Sequence, residues 1–132
     1  MTHSEFDDYQ NIILRKVVGM RDTKGKEYAN SENRFGNFDR VAAELDLTNI
    51  QVAWVYTKKH LDGIASFCRT QRELSEPIEG RIVDAIVYLT LIAGMIEERE
   101  AEREKTLKDE NVDKHQPFEY DPTKTEEVAF LE

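Results

Sequence analysis

The sequence contains a single cysteine, Cys68, which excludes an internal disulfide bond and fits a reducing compartment. Its polar, acidic first eight residues lack the basic and apolar stretches of a secretory leader. The longest apolar run, Ile82 to Ile96, includes Asp84 and is shorter than the roughly 20 residues that cross a bilayer. We therefore expect a cytoplasmic protein with no membrane partner.

Positive charge is also scarce. The net charge is −9, which argues against a nucleic-acid partner because such proteins carry a basic patch. Most of the excess lies at the C-terminal end, where residues 97–132 hold 13 acidic and 6 basic side chains. The rest of the chain is nearly neutral and could hold an anionic ligand in a local basic pocket. A glycine-rich phosphate loop, a CxxC pair and an HExxH pair are all missing from the sequence.

With only three prolines and six glycines, the chain has few helix breakers, and apolar residues recur at helical spacing. The pattern predicts an all-α helical bundle of about four helices. Their expected bounds are Phe6–Met20, Asp39–Leu45, a helix capped by Thr48 with Gln51 that ends near Arg69, and Pro77–Glu98. The segment from Arg21 to Asn37 lacks apolar periodicity and is predicted to be a loop or a broken helix.

The length indicates one domain over residues 1–100 followed by an acidic extension over residues 101–132. The extension is predicted to be either a flexible tail or an arm that docks on a neighbouring subunit, because Val128–Leu131 is apolar again. In the domain, the Pro77–Glu98 helix is apolar on so many sides that we expect a homo-oligomer. The preceding helix is expected to bury one side, marked by Ile50, Trp54, Leu61, Ile64, Ala65 and Cys68.

Asp84 is the one carboxylate within the apolar run, and an ionised group there is costly unless it is paired or bound to a metal. It could pair with Arg81 or satisfy a buried donor, or it could face a ligand or a metal ion. Gly80, one turn earlier, favours a role in binding a ligand or a metal ion, because the missing side chain of Gly80 leaves room beside Asp84. Glu76 and Glu79 could simply complement the helix dipole, or they could form an acidic ladder with Asp84.

The middle of the preceding helix carries Lys58, Lys59, His60 and Asp62. Salt bridges on the surface, such as Lys58 with Asp62, are the simplest interpretation. The two helices are joined by a short connection and should pack antiparallel, which brings this region level with Asp84. A lysine, a histidine and an aspartate near a buried aspartate would suit a phosphorylated ligand.

The segments D-T-K-G-K-E-Y-A-N and N-R-F-G-N-F combine basic, aromatic and amide side chains. Basic groups can neutralise phosphates, aromatic rings can stack on a base, and amides can read its edge. The alternative is a loop whose aromatic residues fill the core.

The motifs K-x-K-E-Y-A (24–29) and R-F-G-N-F (34–38) occur together with E-P-I-E-G-R-I-V-D-A-I-V-Y (76–88). Over residues 24–98 the chain thereby resembles small phage proteins related to the nucleotide-modification-associated and MazG-like all-α nucleotide pyrophosphohydrolases. The resemblance implies an all-α fold and a nucleotide ligand, in the host cytoplasm if the protein is phage-encoded. Enzymes of this kind use Mg²⁺ on helix-borne carboxylates to cleave (d)NTPs to a monophosphate and pyrophosphate.

Carried over by position, the resemblance makes Asp84 and Glu79 the catalytic carboxylates and adds Glu76 as a third metal ligand. Together with the reasoning above, it gives eleven expected ligand-binding residues. They are Lys24, Glu27, Tyr28, Arg34, Phe35, Asn37, Lys59, His60, Asp62, Arg81 and Tyr88.

The chain also departs from the family pattern. The E-E-x-x-E helix that supplies half of the metal cage is absent from the first 75 residues, and Val87 stands where relatives often have asparagine. We therefore expect either a Mg²⁺-dependent (d)NTP pyrophosphohydrolase or a non-catalytic binder. The binder would sequester a nucleotide or a cyclic nucleotide immune signal as an anti-defence protein. A helical interaction protein without a small ligand is the third alternative.

Overall fold

The computed structural model describes residues 1–28, 33–73 and 75–113, and this part of the chain is helical without strands. Its helices are α1 (His3–Tyr28), α2 (Gly36–Leu45), α3 (Asn49–Thr70) and α4 (Ile78–Asp113). The all-α prediction is confirmed. Predictions about the tail beyond residue 113, including Val128–Leu131, concern residues outside this part. None of the helices described combines the length and apolar character needed to cross a membrane.

By its internal contacts the chain divides into two units, Met1–Arg99 and Glu100–Glu132. The buried core residues of the described part of the chain lie in the first unit, and the second unit begins within α4 and is helical up to Asp113. Glutamate, lysine and arginine are good helix formers, and this explains why α4 continues past the predicted end at Glu98.

Helix α1 is longer than the sequence predicts. The prediction of a loop or a broken helix from Arg21 is wrong for residues 21–28, because α1 continues as one helix to Tyr28. This stretch has no proline, and its one glycine, Gly25, lowers helix stability by only about 1 kcal/mol relative to alanine. The loss of apolar periodicity after Met20 therefore does not coincide with the end of the helix.

The start of α3 follows its sequence signal. The Thr48 side chain accepts a hydrogen bond from the Gln51 backbone N–H at 3.2 Å, and the Gln51 side chain accepts one from the Thr48 N–H at 2.9 Å. The predicted capping box is confirmed, and it satisfies two N–H groups that the first turn would otherwise leave unpaired. At α4 the Glu73 carboxylate accepts from the Ile78 N–H at 3.0 Å.

Two apolar clusters hold the first unit together, and α4 belongs to both. One contains Phe38 and Ala42 of α2, Val52 and Ala53 of α3, and Met95 of α4. The other contains Val17 of α1 with Val83 and Val87 of α4. Helix α4 is thus the central helix, with α1 on one side and the α2–α3 pair on another.

The buried side of α3 differs from the expected one. Trp54 is 49 % exposed, and Ala65 and Cys68 are exposed as well. The buried side chains of α3 are instead small or polar: Val52, Ala53, Thr57 and His60. The expected buried side was chosen by hydrophobicity, whereas close packing of two helices favours small side chains. Neighbouring residues on a helix point about 100° apart, so an assignment that is wrong by one residue selects a different side of the helix.

Candidate functional site

Helices α3 and α4 pack antiparallel, as the sequence predicts, and two contacts define their register. The rings of Tyr56 and Tyr88 stack with centroids 6.1 Å apart. One turn further along α3, the Nδ1 atom of His60 lies 3.9 Å from an Asp84 carboxylate oxygen. Each step of four residues along α3 therefore matches four residues backwards along α4, and the two helices hold their functional side chains in fixed opposition.

The His60–Asp84 pair lies at the edge of the core. The side chains are only 11 % and 17 % exposed, so each charged form is partly withdrawn from water and gains from an opposite charge nearby. A separation of 3.9 Å is that of an ion pair and is too long for a direct hydrogen bond. The His60 ring also stacks on Tyr88, with centroids 5.4 Å apart and an interplanar angle of 24°. The histidine is thus oriented from two sides by α4.

An aromatic group continues from His60 towards α2. Tyr88 contacts Tyr56 and, edge-on, Phe38 at 6.2 Å, and Phe38 meets Tyr56 at 5.9 Å. Phe38 is buried, whereas Tyr56 is 38 % exposed, so one side of this group is accessible to solvent. Sequence reasoning missed Tyr56, although its position four residues before His60 places both on one side of α3.

Arg81 crosses α3 one turn beyond the His60–Asp84 pair. A Cβ atom at Gly63 would lie 2.2 Å from the Arg81 Nη1 atom, so the missing side chain of Gly63 is what lets the guanidinium pass. Arg81 donates a hydrogen bond to the Ser75 hydroxyl at 3.1 Å and lies 3.9 Å from the Glu76 carboxylate. The sequence predicted Arg81 as a ligand-binding residue but did not indicate Gly63, whose role depends on the side chain that packs against it.

Arg81, Glu76 and Gly63 help to line a small cleft, which we call the Arg81 cleft. It has a volume of about 70 Å³ and is lined by Gly63, Ser66, Phe67, Arg72, Glu73, Glu76, Ile78 and Arg81. Ordinary small-molecule sites measure about 300–1,000 Å³, so this cleft could take a single phosphate-sized group but not a whole nucleotide. Two arginines there face two glutamates, and the charges of its lining therefore balance.

The three predicted metal carboxylates have three different partners. Glu79 pairs with Lys16 of α1, Glu76 with Arg81, and Asp84 with His60. The hydrogen bond and charge of Glu79 raise the pKa of Lys16 above its ordinary value. Within the described residues, no group of three or more histidine, cysteine or acidic side chains could hold a metal ion.

The lysines and the aspartate near His60 face away from Asp84. Lys58 pairs with Asp62, one turn later on α3, and Lys59 is exposed. In the sequence pattern these residues looked like neighbours of His60, but on a helix they lie on other sides. Of the basic and acidic residues predicted in mid-α3, the structure brings only His60 to Asp84.

The predicted ligand-binding residues at the start of α2 contact α2 itself or the core. Phe35 packs on the apolar cluster, and its ring lies 3.1 Å from where a Cβ of Gly94 would stand. Asn37 accepts a hydrogen bond from Arg40 at 2.8 Å, and Arg34 is exposed. For Phe35 these contacts favour the alternative in which aromatic residues fill the core. The side chains of Lys24, Glu27 and Tyr28 lie outside the described part of the chain.

Comparison with protein-family models, with curated proteins and with solved structures finds no match to this chain. The resemblance to the MazG-like pyrophosphohydrolases therefore stays a prediction based on the motifs quoted above. The class defined by the fold and the site geometry is a small all-α protein with a paired histidine and aspartate between two antiparallel helices.

Proposed function

We propose that the chain binds a nucleotide or a related phosphorylated small molecule along the α3–α4 contact. One phosphate would enter the Arg81 cleft, and the base would lie against the accessible side of Tyr56. The observation that carries this proposal is the antiparallel register of α3 and α4. Along α3, this register places in one row the Arg81 cleft at Gly63, the contact of His60 with Asp84, and the stacking of Tyr56 on Tyr88.

The spacing along α3 suits such a ligand. Gly63 and Tyr56 are seven residues apart, which corresponds to about 10 Å of helix at 1.5 Å per residue. This is close to the length of an extended mononucleotide. Stacking on an aromatic ring stabilises a bound base without selecting its identity, so we expect weak discrimination among bases.

A bound phosphate would compete with an internal carboxylate. Glu73 already accepts the Ile78 N–H at the start of α4, a position that favours anions because of the helix dipole and the unpaired N–H groups there. The guanidinium of Arg72, which lines the same cleft and is exposed, would become a second phosphate ligand. Removing the charge of Glu73 should therefore tighten binding.

Metal-independent binding is the function that the geometry supports best, because Glu76 and Glu79 each pair with a cationic side chain, Arg81 and Lys16, and Asp84 faces His60. Such a binder would sequester its ligand, a nucleotide or a cyclic nucleotide signal, in the cytoplasm. This keeps the anti-defence role as part of the proposal.

Mg²⁺-dependent (d)NTP pyrophosphohydrolysis is the second candidate. Asp84 favours this function. Its side chain is only 17 % exposed, and carboxylate oxygens are ligands that Mg²⁺ uses in proteins. Asp84 would be a ligand of the ion, whereas Glu79 pairs with Lys16 of α1. The rest of the cage would therefore have to come from elsewhere, since the first 75 residues lack a second acidic helix. An adequate test is pyrophosphate release from a panel of (d)NTPs, compared between wild type and Asp84→Asn.

Calorimetric titration separates these functions. Nucleoside mono- and triphosphates and cyclic nucleotides are titrated into the full chain, first with EDTA and then with Mg²⁺. Binding in EDTA without pyrophosphate release supports the binder. Binding and release that both require Mg²⁺ and Asp84 support the enzyme. The absence of any heat signal, with a melting temperature unchanged by every ligand, would contradict both, because a ligand specific for the native state raises its stability.

We also propose that the protein associates with itself. The reason is that α4 exposes large apolar side chains, among them Ile82, Leu89 and Ile96.

A further inference from the structure

One side of α4 is apolar and largely exposed, and its Ile86 also packs against the apolar cluster that contains Val17. Ile82, Leu89 and Ile96 are 37 %, 46 % and 47 % exposed, Ala93 is exposed, and Ile86 is half-buried. These five residues, which we call the α4 seam, are spaced by four, three, four and three positions. Such spacing is the heptad pattern by which one helix packs along another.

The seam offers no charge to water. Asp84 is the only charged residue between Ile82 and Ile96, and it faces His60 on α3. Fourteen helical steps give the seam a length of about 21 Å. Contiguous exposed apolar patches often mark interaction sites.

We propose that the α4 seam binds the α4 seam of a second copy, antiparallel, around a twofold axis at Leu89. In this register Ile82 lies opposite Ile96, and the large Ile86 lies within one residue step of the small Ala93 across the contact, so that a large and a small side chain are neighbours there. A parallel pair would instead set Ala93 against Ala93 and leave a gap.

Charge selects the same orientation. Glu97 and Glu98 follow the seam directly and are exposed. A parallel pair would bring these glutamates of two copies side by side, where like charges repel. The antiparallel pair separates them by the length of the seam and places each pair near the start of the other copy's α4, where the helix dipole is positive.

The size of the seam fixes the expected strength. A two-helix contact about 21 Å long falls at or below the lower end of specific interfaces, which bury about 1,200–2,000 Å² in total. We therefore expect a reversible dimer whose population rises with concentration.

Sedimentation equilibrium of the full chain tests the proposal. The wild-type mass should rise from the 15.4 kDa of the monomer towards twice that value across a micromolar to submillimolar range. Leu89→Glu should weaken association at least about 10-fold, because it buries an unpaired charge. Leu107→Glu is the matched control, since Leu107 is a 52 % exposed leucine of the same helix outside the seam, and it should leave association unchanged. Circular dichroism verifies that both variants are folded.

Disulfide trapping in a Cys68→Ser background tests the orientation. Mixing Ile82→Cys with Ile96→Cys protein should give covalent heterodimers under mild oxidation, and Ile82→Cys alone should not cross-link. Cross-linking of Ile82→Cys alone would overturn the antiparallel arrangement. A wild type that stays monomeric at every concentration would overturn the dimer, including the case in which residues 128–131 of the same chain cover the seam.

Discussion

The imidazole Nδ1 of His60 lies 3.9 Å from the Asp84 carboxylate, across the contact between two antiparallel helices. This relationship explains how an aspartate persists in a stretch that is otherwise apolar. Its partner comes from the facing helix, whereas Arg81, its neighbour on the same helix, is engaged with Ser75 and Glu76. The pair also fixes the register on which the proposed ligand site depends.

Gly63→Ala tests whether Arg81 needs the space above α3. The new Cβ would lie 2.2 Å from Nη1 and 2.9 Å from Cδ of Arg81, so the whole end of that side chain must move and lose its contact with Ser75. Loss of this contact costs about 1 kcal/mol, which offsets the gain of about 1 kcal/mol that alanine has over glycine within a helix. We therefore expect the free energy of unfolding, measured with urea, to stay close to the wild-type value. Gly19→Ala, where nothing lies within 4 Å, should instead raise it by about 0.5–1 kcal/mol. Equal stabilisation by both variants would show that Arg81 does not occupy this space.

Ala53→Leu tests the close contact of α3 with the core. Ala53 is fully buried against Phe38 and Met95, and extra methylene groups in a packed core typically cost about 1–3 kcal/mol. The matched change Ala43→Leu on the exposed side of α2 should alter stability by less than about 0.5 kcal/mol. Thermal unfolding followed by circular dichroism distinguishes the two, and a tolerated Ala53→Leu would mean that the buried side of α3 is wrongly assigned.

The Lys16–Glu79 pair, which joins α1 to α4, makes stability depend on alkaline pH. Glu79 raises the pKa of Lys16, so the pair stabilises the fold below the ordinary lysine pKa of about 10.4. That stabilisation is lost as the pH rises through the folded-state pKa. Because both side chains are well exposed, the effect should be small.

A double-mutant cycle of Lys16→Gln and Glu79→Gln measures this coupling. The coupling energy should be favourable at pH 8 and absent above the raised pKa of Lys16. As a control, Arg15→Gln, at the exposed neighbour of Lys16, should show no coupling to Glu79. Coupling that is the same at both pH values would mean that the ammonium charge of Lys16 is not its source.

The sequence contained enough to predict the helical fold, since apolar spacing and the Thr48–Gln51 box report directly on local structure. It also predicted the antiparallel contact that brings His60 to Asp84, because a short connection leaves two long helices little choice. The continuation of α1 to Tyr28 was missed because a polar helix carries no apolar period, and helix formation does not require one.

What the sequence could not provide was the rotation of each helix about its own axis. Hydrophobicity placed Trp54 and Cys68 in the core, but the structure buries the smaller Thr57, whose hydroxyl donates to the Ala53 carbonyl at 2.7 Å. For the same reason the sequence did not indicate Tyr56 and Gly63. Their roles depend on the α4 residues opposite them, Tyr88 and Arg81. Partners of Glu76 and Glu79 likewise depend on neighbouring helices and loops.

The most direct test of the proposed phosphate site is a calorimetric comparison of Arg72→Gln, Arg69→Gln and wild type, titrated with the same dNTP in EDTA. Arg72 lines the Arg81 cleft, whereas Arg69 is an exposed arginine of the last turn of α3 outside it. Loss of one charge-assisted phosphate contact should weaken binding about 10-fold or more in Arg72→Gln and leave Arg69→Gln unchanged. Equal affinities for all three proteins, or equal losses in both variants, would contradict a phosphate site in this cleft.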